Sequence, residues 1–402
     1  MKSWLQDAKN LQKELTENRR WLHEHAEVGF QLKKTATFVK EKLEEMGYTV
    51  SGCGKAGLIA VAGSEVKGKT FLLRADMDGL PIQEKTGAPY ACPTGNMHAC
   101  GHDLHTTMLL GAARLLKNHE GELRGRVKLF FQPAEETLQG AKTAISKGLL
   151  RDPKVDGAMM LHVMTGVDMP TGSVVVASGG VSAPAADYFT IEVKGKSCHG
   201  AAPQNGVDAL TAAAYILIAL QELSAREISA SQVAALTVGK MQGGTAGNAI
   251  ADRAVLEGTM RAFDEPLRTF LKQRMKEISL AQAKAFRAKA KLTFESGCPT
   301  LVNDAKLSAL TEETAIELFG KNRVFNSTML GGNTKNTSGG SEDFSYISHE
   351  VPSVMAALVA GAKKDGYTYP LHHPRVEFDE NALPIGAALY AAVAAKFLKN
   401  NI

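Results

Sequence analysis

Short apolar runs, each followed by polar side chains or glycine, alternate with helical patterns along much of the chain. Four of these runs are continuous enough to predict strands that are buried on both faces: KTFLLRADMD, RVKLFFQPAEE, DGAMMLHV and PSVMAALVAG. A helical pattern of apolar positions lies between two of them, over 106–118. This alternation predicts an α/β layer built on a mostly parallel sheet.

The side chains at the ends of these runs are candidates for a binding crevice. Asp78 ends the first run, Glu135 and Glu136 end the second, and His162 lies at the end of the third. In open α/β sheets, ligands bind beyond the carboxyl ends of the strands. We therefore expect these four side chains to meet at one edge of the sheet.

The pattern changes between residues 184 and 297. Strand, helix, strand, strand, helix and strand patterns follow one another there, at 187–196, 207–224, 232–242, 254–263, 265–289 and 291–296. This β-α-β-β-α-β order is typical of ferredoxin-like domains. The earlier alternation of apolar runs and helical patterns then resumes with the run PSVMAALVAG and a closing helix at 382–398. We interpret 184–297 as a domain inserted into a discontinuous one formed by 1–183 and 298–402.

Composition narrows the class of protein. The 402 residues carry a formal net charge of +4, dispersed without a Lys/Arg-rich run, so nucleic acid is not an expected partner. The N-terminus lacks an apolar signal-peptide core, and the apolar helix at 210–220 is too short to cross a bilayer. Five cysteines without CxxC pairs fit a reducing compartment. We expect a cytoplasmic protein with no membrane partner.

The Gly/Ser/Asn-rich stretch 331–343 predicts a loop.

The segment HACGHDLH, residues 98–105, holds three of the eleven histidines and one of the five cysteines. Cys100 and His102 offer a thiolate and an imidazole, which are ligands for zinc and related divalent metals. Taken alone, this spacing suits a structural loop equally well. A zinc finger would need a second cysteine pair nearby, and a redox switch would need a resolving cysteine.

Two further motifs strengthen the metal interpretation. Adjacent carboxylates such as Glu135 and Glu136 are costly to bury unless they are paired or bound to a metal. One of them could bind a metal while the other transfers a proton, although two solvated glutamates are the alternative for this motif alone. The segment 369–380, YPLHHPRVEFDE, adds two histidines between prolines. Together the pieces supply Cys, His, Glu, His and His, enough for two metals with one bridging ligand.

Seven motifs occur in order between about residue 20 and residue 380: LRADMDGLP, HACGHDLHT, QPAEE, SCHGAAPQNGVD, GGTAGNAIADRAVLEGTMR, GSEDF and LHHPRVEFDE. As a set they resemble the amidohydrolase branch of the aminoacylase/carboxypeptidase metallopeptidase family. Its members include hippurate hydrolases, N-acetyl-diaminopimelate deacetylases and auxin-conjugate hydrolases. The resemblance implies an α/β metallopeptidase catalytic domain with an inserted ferredoxin-like lid that also mediates dimerisation.

The resemblance implies a dinuclear site with five ligands. Cys100 would be the bridging thiolate, and His102, Glu136, His162 and His372 would complete the set. His372 is chosen from the histidine pair because the family pattern there is His, any residue, Pro. The cofactor would be two divalent metal ions per subunit. Thiolate and imidazole favour zinc, while manganese, cobalt or nickel could use the same ligands.

The resemblance also implies roles around the metals. Glu135 would be the general base, and Asp78 would orient a ligand histidine. His199 of the inserted domain would reach a partner subunit's active site and stabilise the oxyanion there, so a homodimer or higher homo-oligomer is implied. Asn248 and Arg261 would hold the amide and the α-carboxylate of the substrate.

Two departures from the family pattern affect substrate preference more than chemistry. Ala26 replaces a proline near the N-terminus, and Gly200 and Gln204 alter the segment after the family histidine. Neither departure touches a predicted ligand. His98, Asp103 and His105 are interpreted as supports for the ligands, and His23 is assigned no role.

These observations predict an amidohydrolase that cleaves N-acyl amino acids to a carboxylate and a free amino acid. A dipeptidase or carboxypeptidase with the same dinuclear site is the nearest alternative. A non-catalytic binding protein on the same scaffold is the alternative from another class, although it would have no need of Glu135.

Overall fold

A computed structural model describes residues 2–63, 67–326 and 340–400. Within them, the chain divides into two compact units, one formed by 2–180, 302–326 and 343–400, and the other by 181–301 and 340–342. The predicted insertion at 184–297 lies inside the second unit. Of the predicted loop at 331–343, residues 331–339 lie outside the described residues.

The helices in chain order are α1 (Lys2–Asn10), α2 (Gln12–Glu24), α3 (Lys33–Glu45), α4 (His102–Asn118), α5 (Gly140–Ser146), α6 (Ala209–Glu222), α7 (Glu265–Ala285), α8 (Ala305–Phe319), α9 (Ser345–Ser348) and α10 (Leu383–Asn400). The strands are β1 (Ser51–Gly52), β2 (Leu58–Ala62), β3 (Thr70–Asp76), β4 (Arg126–Gln132), β5 (Gly157–Met164), β6 (Val174–Val176), β7 (Gly180–Ala183), β8 (Ala185–Lys194), β9 (Cys198–His199), β10 (Ala234–Gly243), β11 (Ala249–Ile250), β12 (Arg253–Ala262), β13 (Lys289–Cys298), β14 (Leu301–Asn303), β15 (Val324–Asn326) and β16 (Ser353–Val359).

The first unit is built on an eight-stranded sheet with the order β1-β2-β4-β3-β5-β16-β6-β15. Its centre, β4-β3-β5-β16, is parallel, and antiparallel pairs occur on both sides of that centre. Every residue of β3 is buried, as expected for a strand covered on both faces. The prediction of a mostly parallel α/β sheet is confirmed. His162 lies inside β5 rather than at its end, because pairing with β16 continues to Met164.

Helices α4 and α10 pack against each other and against β3, and their apolar residues belong to one core. In the described part of the chain, one helical stretch, Glu380–Asn400, is long and apolar enough to cross a membrane. Because 78% of its apolar window is buried in the protein, we interpret it as a core helix.

The second unit contains a four-stranded antiparallel sheet with the order β10-β12-β8-β13. Helices α6 and α7 share a core with these strands. Asp208 caps α6 and Asp264 caps α7, each by accepting hydrogen bonds from backbone N–H groups of the first turn. The helix predicted over 265–289 ends earlier, at Ala285, since the chain turns through a left-handed Arg287 with a φ of 62° and then enters β13.

Tyr390 of α10 lies where two central strands stop pairing. Strands β3 and β5 pair over 71–74 and 157–160. Just beyond, the buried Tyr390 hydroxyl donates to the carbonyl oxygen of Arg74 and accepts from the N–H of Leu161, both at 2.8 Å. The Tyr390 side chain thus takes the place of backbone hydrogen bonds between β3 and β5. It does so at the edge of the sheet where the candidate site residues lie.

We predict that Tyr390→Phe lowers the free energy of unfolding by about 1–3 kcal/mol, because it leaves a buried carbonyl and a buried N–H without their partner. Chemical denaturation measures the change. Tyr215→Phe, at a tyrosine that is 50% exposed, is the matched control and should have little effect. Equal stabilities of the two variants would contradict the bridging role of Tyr390.

Candidate metal centre

Cys100 and His102 lie on either side of a backbone reversal at the start of α4. Gly101 is the N-cap residue of this helix and has a left-handed φ of 85°. A Cβ atom at this position would lie 2.4 Å from a methyl carbon of Val163, so glycine is required here. The helix predicted over 106–118 therefore begins earlier, at His102. Both Cys100 and His102 are buried.

Asp78 holds the turn that follows β4. Its carboxylate accepts hydrogen bonds from the backbone N–H groups of Glu135 at 3.0 Å and Glu136 at 3.3 Å. Its backbone carbonyl oxygen accepts a hydrogen bond from Nδ1 of His102 at 2.7 Å. The shortest contact with the predicted ligand histidine is thus made by the main chain of Asp78, and the carboxylate, 3.6 Å from the same nitrogen, positions the two glutamates.

Two groups of three side chains share the thiol of Cys100. The donor atoms of Cys100, His102 and His162 lie within 4.8 Å of one another, and so do those of Cys100, Glu136 and His372. Sγ of Cys100 is 3.6 Å from Nε2 of His162. Nε2 of His372 is 3.5 Å from Oε1 of Glu136. The structure therefore brings the five predicted ligands together as two triads with one common member.

The donor atoms are directed as metal ligands require. His102 and His162 each donate Nδ1–H to a backbone carbonyl, of Asp78 and of Val163, at 2.7 Å, which leaves Nε2 with its lone pair. Nε2 of His102 and Oε1 of Glu136 are buried and have no hydrogen-bond partner among the described residues. Buried polar atoms without partners are costly. A divalent cation would satisfy both, so the donor set fits a metal.

The two adjacent histidines of the C-terminal motif have different surroundings. His372 has a left-handed φ of 65°, a conformation that costs about 1–3 kcal/mol in a residue other than glycine. Its N–H donates to the carbonyl oxygen of Ala99 at 2.9 Å, which ties it to the Cys100 loop. His373 instead stacks on Tyr369 with ring centroids 4.4 Å apart. Only His372 of the pair is directed at the triads.

Burial favours the neutral forms of Cys100, Glu136 and His162, whereas at His102 burial is outweighed by neighbouring groups, the Asp76 carboxylate foremost, which raise the pKa of that ring well above its ordinary value. Burial raises the pKa of the Cys100 thiol to about 12 and lowers the pKa of His162 to about 4. Burial also raises the pKa of Glu136 to about 7, and the nearby carboxylates of Asp78 and Asp76 act in the same direction. A divalent cation among these groups would reverse the preference of the thiol and the carboxyl group, so metal binding is expected to release protons.

Glu135 lies beside the triads and belongs to neither. Its carboxylate forms a further close group with the donor atoms of His102 and Glu136, all within 4.8 Å. The side chain is buried, and the backbone N–H of Asp343 donates to Oε1 of Glu135 at 3.4 Å. A carboxylate is thus placed next to the donors that would hold the metals.

The structure adds Asp76 and His105 to the surroundings of the triads. Nδ1 of His105 donates to the buried Asp76 carboxylate at 2.6 Å, and Nε2 accepts from the N–H of Val163 at 2.8 Å. The His105 ring also packs edge-on against His162, with centroids 4.7 Å apart. The motifs gave Asp76 no role. Its signal was the pair of charges, Arg74 and Asp76, in an otherwise apolar strand.

Asp103 and His23 form a second buried group at the start of α4. The Asp103 carboxylate accepts from Nε of Arg19 and from Nδ1 of His23, both at 2.8 Å. Asp103 thereby joins α4 to α2, and His23, which the motifs left without a role, is half of that junction. His98 is buried, and neither ring nitrogen has a hydrogen-bond partner in the described part of the chain.

The remaining predicted residues belong to the second unit. His199 in β9 pairs with Ala249 in β11, and the carbonyl oxygen of Asn248 accepts from the N–H of Gly200 at 2.7 Å. His199 and Asn248 are therefore neighbours, and both are exposed. Arg261 in β12 donates to the hydroxyl of Ser341 at 2.6 Å. The roles of these side chains toward a substrate stay predictions.

Comparison with known proteins identifies the family. Residues 72–396 match peptidase family M20/M25/M40. The chain belongs to this family. The matched region contains every predicted ligand of the M20 enzyme, from Cys100 to His372. The resemblance drawn from the seven motifs is confirmed, and with it the expectation of a metal-dependent hydrolase.

Two relatives and one solved structure show how far the likeness extends. The N-acetyl-L-cysteine deacetylase of Bacillus subtilis is 38% identical over 390 residues, which cover 96% of this chain and 89% of that protein. The hippurate hydrolase of Campylobacter jejuni is 35% identical over 395 residues, which cover 97% and 98%. The Bacillus subtilis YXEP protein, a dinuclear metal-binding M20 peptidase, has a TM-score of 0.79 at 30% identity, covering 97% of this chain and 99% of that one. The two triads likewise provide donors for two metal ions.

We predict that Cys100→Ala loses metal from both positions, because each triad loses a ligand. Elemental analysis should find about two metal ions per wild-type chain, as for a two-metal site, and less than one in the variant. Cys92→Ala is the matched control, since this buried thiol contacts Thr94 and lies in neither triad. Retention of two metals by Cys100→Ala would contradict a shared thiolate.

Proposed function

We propose that the chain is a dinuclear metal-dependent amidohydrolase that cleaves N-acyl amino acids to a carboxylate and a free amino acid. The observation that carries this proposal is the pair of triads sharing Cys100, with the Glu135 carboxylate beside them. The names of the deacetylase and the hippurate hydrolase support the substrate class, since N-acetyl-L-cysteine and hippurate are both N-acyl amino acids.

Cys100, His102, Glu136, His162 and His372 would hold the two metals, with zinc favoured by the thiolate and imidazole donors. When bound, such a pair polarises a carbonyl group and lowers the pKa of a water molecule. Asp78 fixes the positions of His102, through its backbone carbonyl, and of the turn that carries the two glutamates, through its carboxylate. These contacts keep the proton acceptor and the ligands at fixed separations.

Glu135 acts as the general base. Its carboxylate accepts a proton from the attacking water and later delivers it to the nitrogen of the leaving amine as the amide C–N bond breaks. Burial of the side chain excludes competing water from this carboxylate. The atoms and protons balance, because the oxygen of the water ends in the carboxylate product, Glu135 delivers one of its protons to the leaving nitrogen, and the second, released as the acid product ionises, leaves that nitrogen as an ammonium group.

The second unit is proposed to be a ferredoxin-like lid that mediates dimerisation in the cytoplasm. Its sheet order and its helix order support the fold. His199, exposed on this unit, would stabilise the oxyanion in the active site of a partner subunit. Asn248 and Arg261 would bind the substrate amide and α-carboxylate, the guanidinium group matching a carboxylate in shape.

A dipeptidase is the second candidate, because the similar YXEP structure is described as a peptidase. The same metals and the same Glu135 would serve a peptide bond equally well. Parallel assays of N-acetyl and N-benzoyl amino acids and of dipeptides separate the two functions. Higher kcat/KM for dipeptides than for every acyl amino acid would assign the peptidase function instead.

We predict that Glu135→Gln lowers kcat for N-acyl amino acids about 10²–10⁴-fold while leaving the metal content near the wild-type value. Glu136→Gln is the matched control, since the neighbouring carboxylate is expected to be a ligand and its loss should remove metal. Steady-state kinetics and elemental analysis of both variants make the test. Metal loss from Glu135→Gln with metal retained by Glu136→Gln would exchange the two roles.

A further inference from the structure

Arg74 is a fully buried arginine in the middle of β3, and no role in the proposed chemistry accounts for it. Its hydrogen bonds with three polar side chains lie inside the first unit. Nη1 donates to Oδ2 of Asp76 at 2.7 Å, Nη2 donates to Oδ1 of Asp343 at 2.9 Å, and Nε donates to Oε1 of Gln132 at 3.0 Å. Both aspartates are fully buried as well. One guanidinium group thus joins two buried carboxylates.

The network has two branches, which we call the Asp76 arm and the Asp343 arm after the carboxylate that each one passes through. The Asp76 arm leads from Arg74 to a predicted metal ligand. Asp76 accepts from Nδ1 of His105, and Nε2 of His105 accepts from the backbone N–H of Val163. Val163 follows His162 in β5, and the carbonyl oxygen of Val163 accepts from Nδ1 of His162 at 2.7 Å. The chain of contacts from Arg74 therefore ends at the residue that sets the ring orientation of His162.

The Asp343 arm leads to the proposed general base. Oδ1 of Asp343 accepts from Arg74 and from Nε2 of Gln132 at 2.6 Å, and Oδ2 accepts from the N–H of Ala141 at 2.9 Å. The backbone N–H of the same aspartate donates to Glu135. The position of this donor is thus fixed by the contacts of its own carboxylate.

Such a network is a poor device for stability alone. Removing three charged side chains from water is expensive, and a well-packed apolar group of similar volume would often serve folding as well or better. A guanidinium group is the side chain that holds two carboxylates and an amide in one plane, because its donors form a rigid fork. That the chain keeps these buried charges despite their desolvation cost therefore indicates that the site requires the fixed geometry that they impose.

We propose that Arg74 is a positioning residue that aligns His162 with the metals through Asp76 and His105, and aligns Glu135 with the attacking water through Asp343. This inference rests on the proposed function. The side chains that accept hydrogen bonds from Arg74, those of Asp76, Asp343 and Gln132, are neither predicted metal ligands nor the proposed general base. The effect of Arg74 is carried by the two aspartates, so each arm can be tested separately.

The experiment compares Arg74→Lys, Asp343→Asn and the double variant with the wild type. A lysine ammonium group keeps the charge but lacks the fork that reaches Asp76, Asp343 and Gln132 together. In Asp343→Asn, the amide NH₂ group faces an N–H donor whichever way the side chain turns, because both carboxylate oxygens accept hydrogen bonds. Zinc affinity is measured by chelator competition, and kcat and KM are measured for an N-acyl amino acid at saturating zinc.

Lys128→Met is the matched control. Lys128 is another fully buried cation, in the neighbouring strand β4, and its Nζ donates to the carbonyl oxygens of Leu149, Asp152 and Pro153. Its removal should lower the unfolding midpoint while leaving the zinc affinity and the kcat of the folded, zinc-loaded enzyme unchanged. The control therefore reports what a purely structural buried cation does.

We expect Arg74→Lys to lose about 10–100-fold in zinc affinity and a similar factor in kcat, with KM little changed. Asp343→Asn should lose kcat alone and keep its zinc affinity, because its arm does not reach a predicted ligand. The two kcat losses should be less than multiplicative in the double variant, since both act on Glu135. If Arg74→Lys does not fold, the kcat and zinc affinity of Asp343→Asn decide the Asp343 arm.

The inference would be overturned if folded Arg74→Lys and Asp343→Asn both kept the kcat and the zinc affinity of the wild type. In that case, like Lys128→Met, they would show only a lower unfolding midpoint. Failure of the proposed function has a different signature. In that case, the zinc-loaded wild type itself would hydrolyse no N-acyl amino acid or dipeptide. The zinc affinity of Arg74→Lys would still test the Asp76 arm.

Discussion

The candidate site depends most on Asp78, which links three segments that are distant in sequence. It lies just beyond β3, its carbonyl oxygen orients His102 at the start of α4, and its carboxylate holds the turn after β4 that carries Glu135 and Glu136. Parallel strands bring these segments to one edge of the sheet. The hydrogen bonds of Asp78 then convert this proximity into fixed separations between the ligands and the proton acceptor.

Burial of the site shifts the pKa values of its side chains and also lowers the stability of the metal-free protein. The thiol of Cys100 and the carboxyl group of Glu136 are both driven towards their neutral forms by desolvation. The left-handed backbone at His372 is a further cost that the fold sustains, and so are the buried atoms of His102 and Glu136 that lack a hydrogen-bond partner among the residues that the structure describes. A pair of divalent cations would offset all of these at once, because they stabilise the deprotonated donors and satisfy the buried atoms.

Much of this arrangement can be predicted from the sequence because its signals are local. The apolar runs predict the central strands, Glu135 and Glu136 follow one of these strands within four residues, and the short motifs around Cys100 and His372 supply further reactive side chains. Contacts that join distant segments leave no local signal. Arg74 and Asp343 are 269 positions apart, and only the folded sheet brings them together. The motifs imply that Asp78 orients a ligand histidine, but only the folded chain shows that its shortest contact with His102 uses the backbone carbonyl. His23 has no local signal of its role either, because its partner, Asp103, lies 80 positions away.

The most direct measurement of the central claim, a thiolate shared between two metals, is anomalous diffraction at the zinc edge from crystals of the zinc-loaded protein. We expect two anomalous peaks per chain, each about 2.3 Å from Sγ of Cys100. One peak should also contact His102 and His162, and the other Glu136 and His372. A single peak, or two peaks of which only one contacts Cys100, would contradict the shared thiolate.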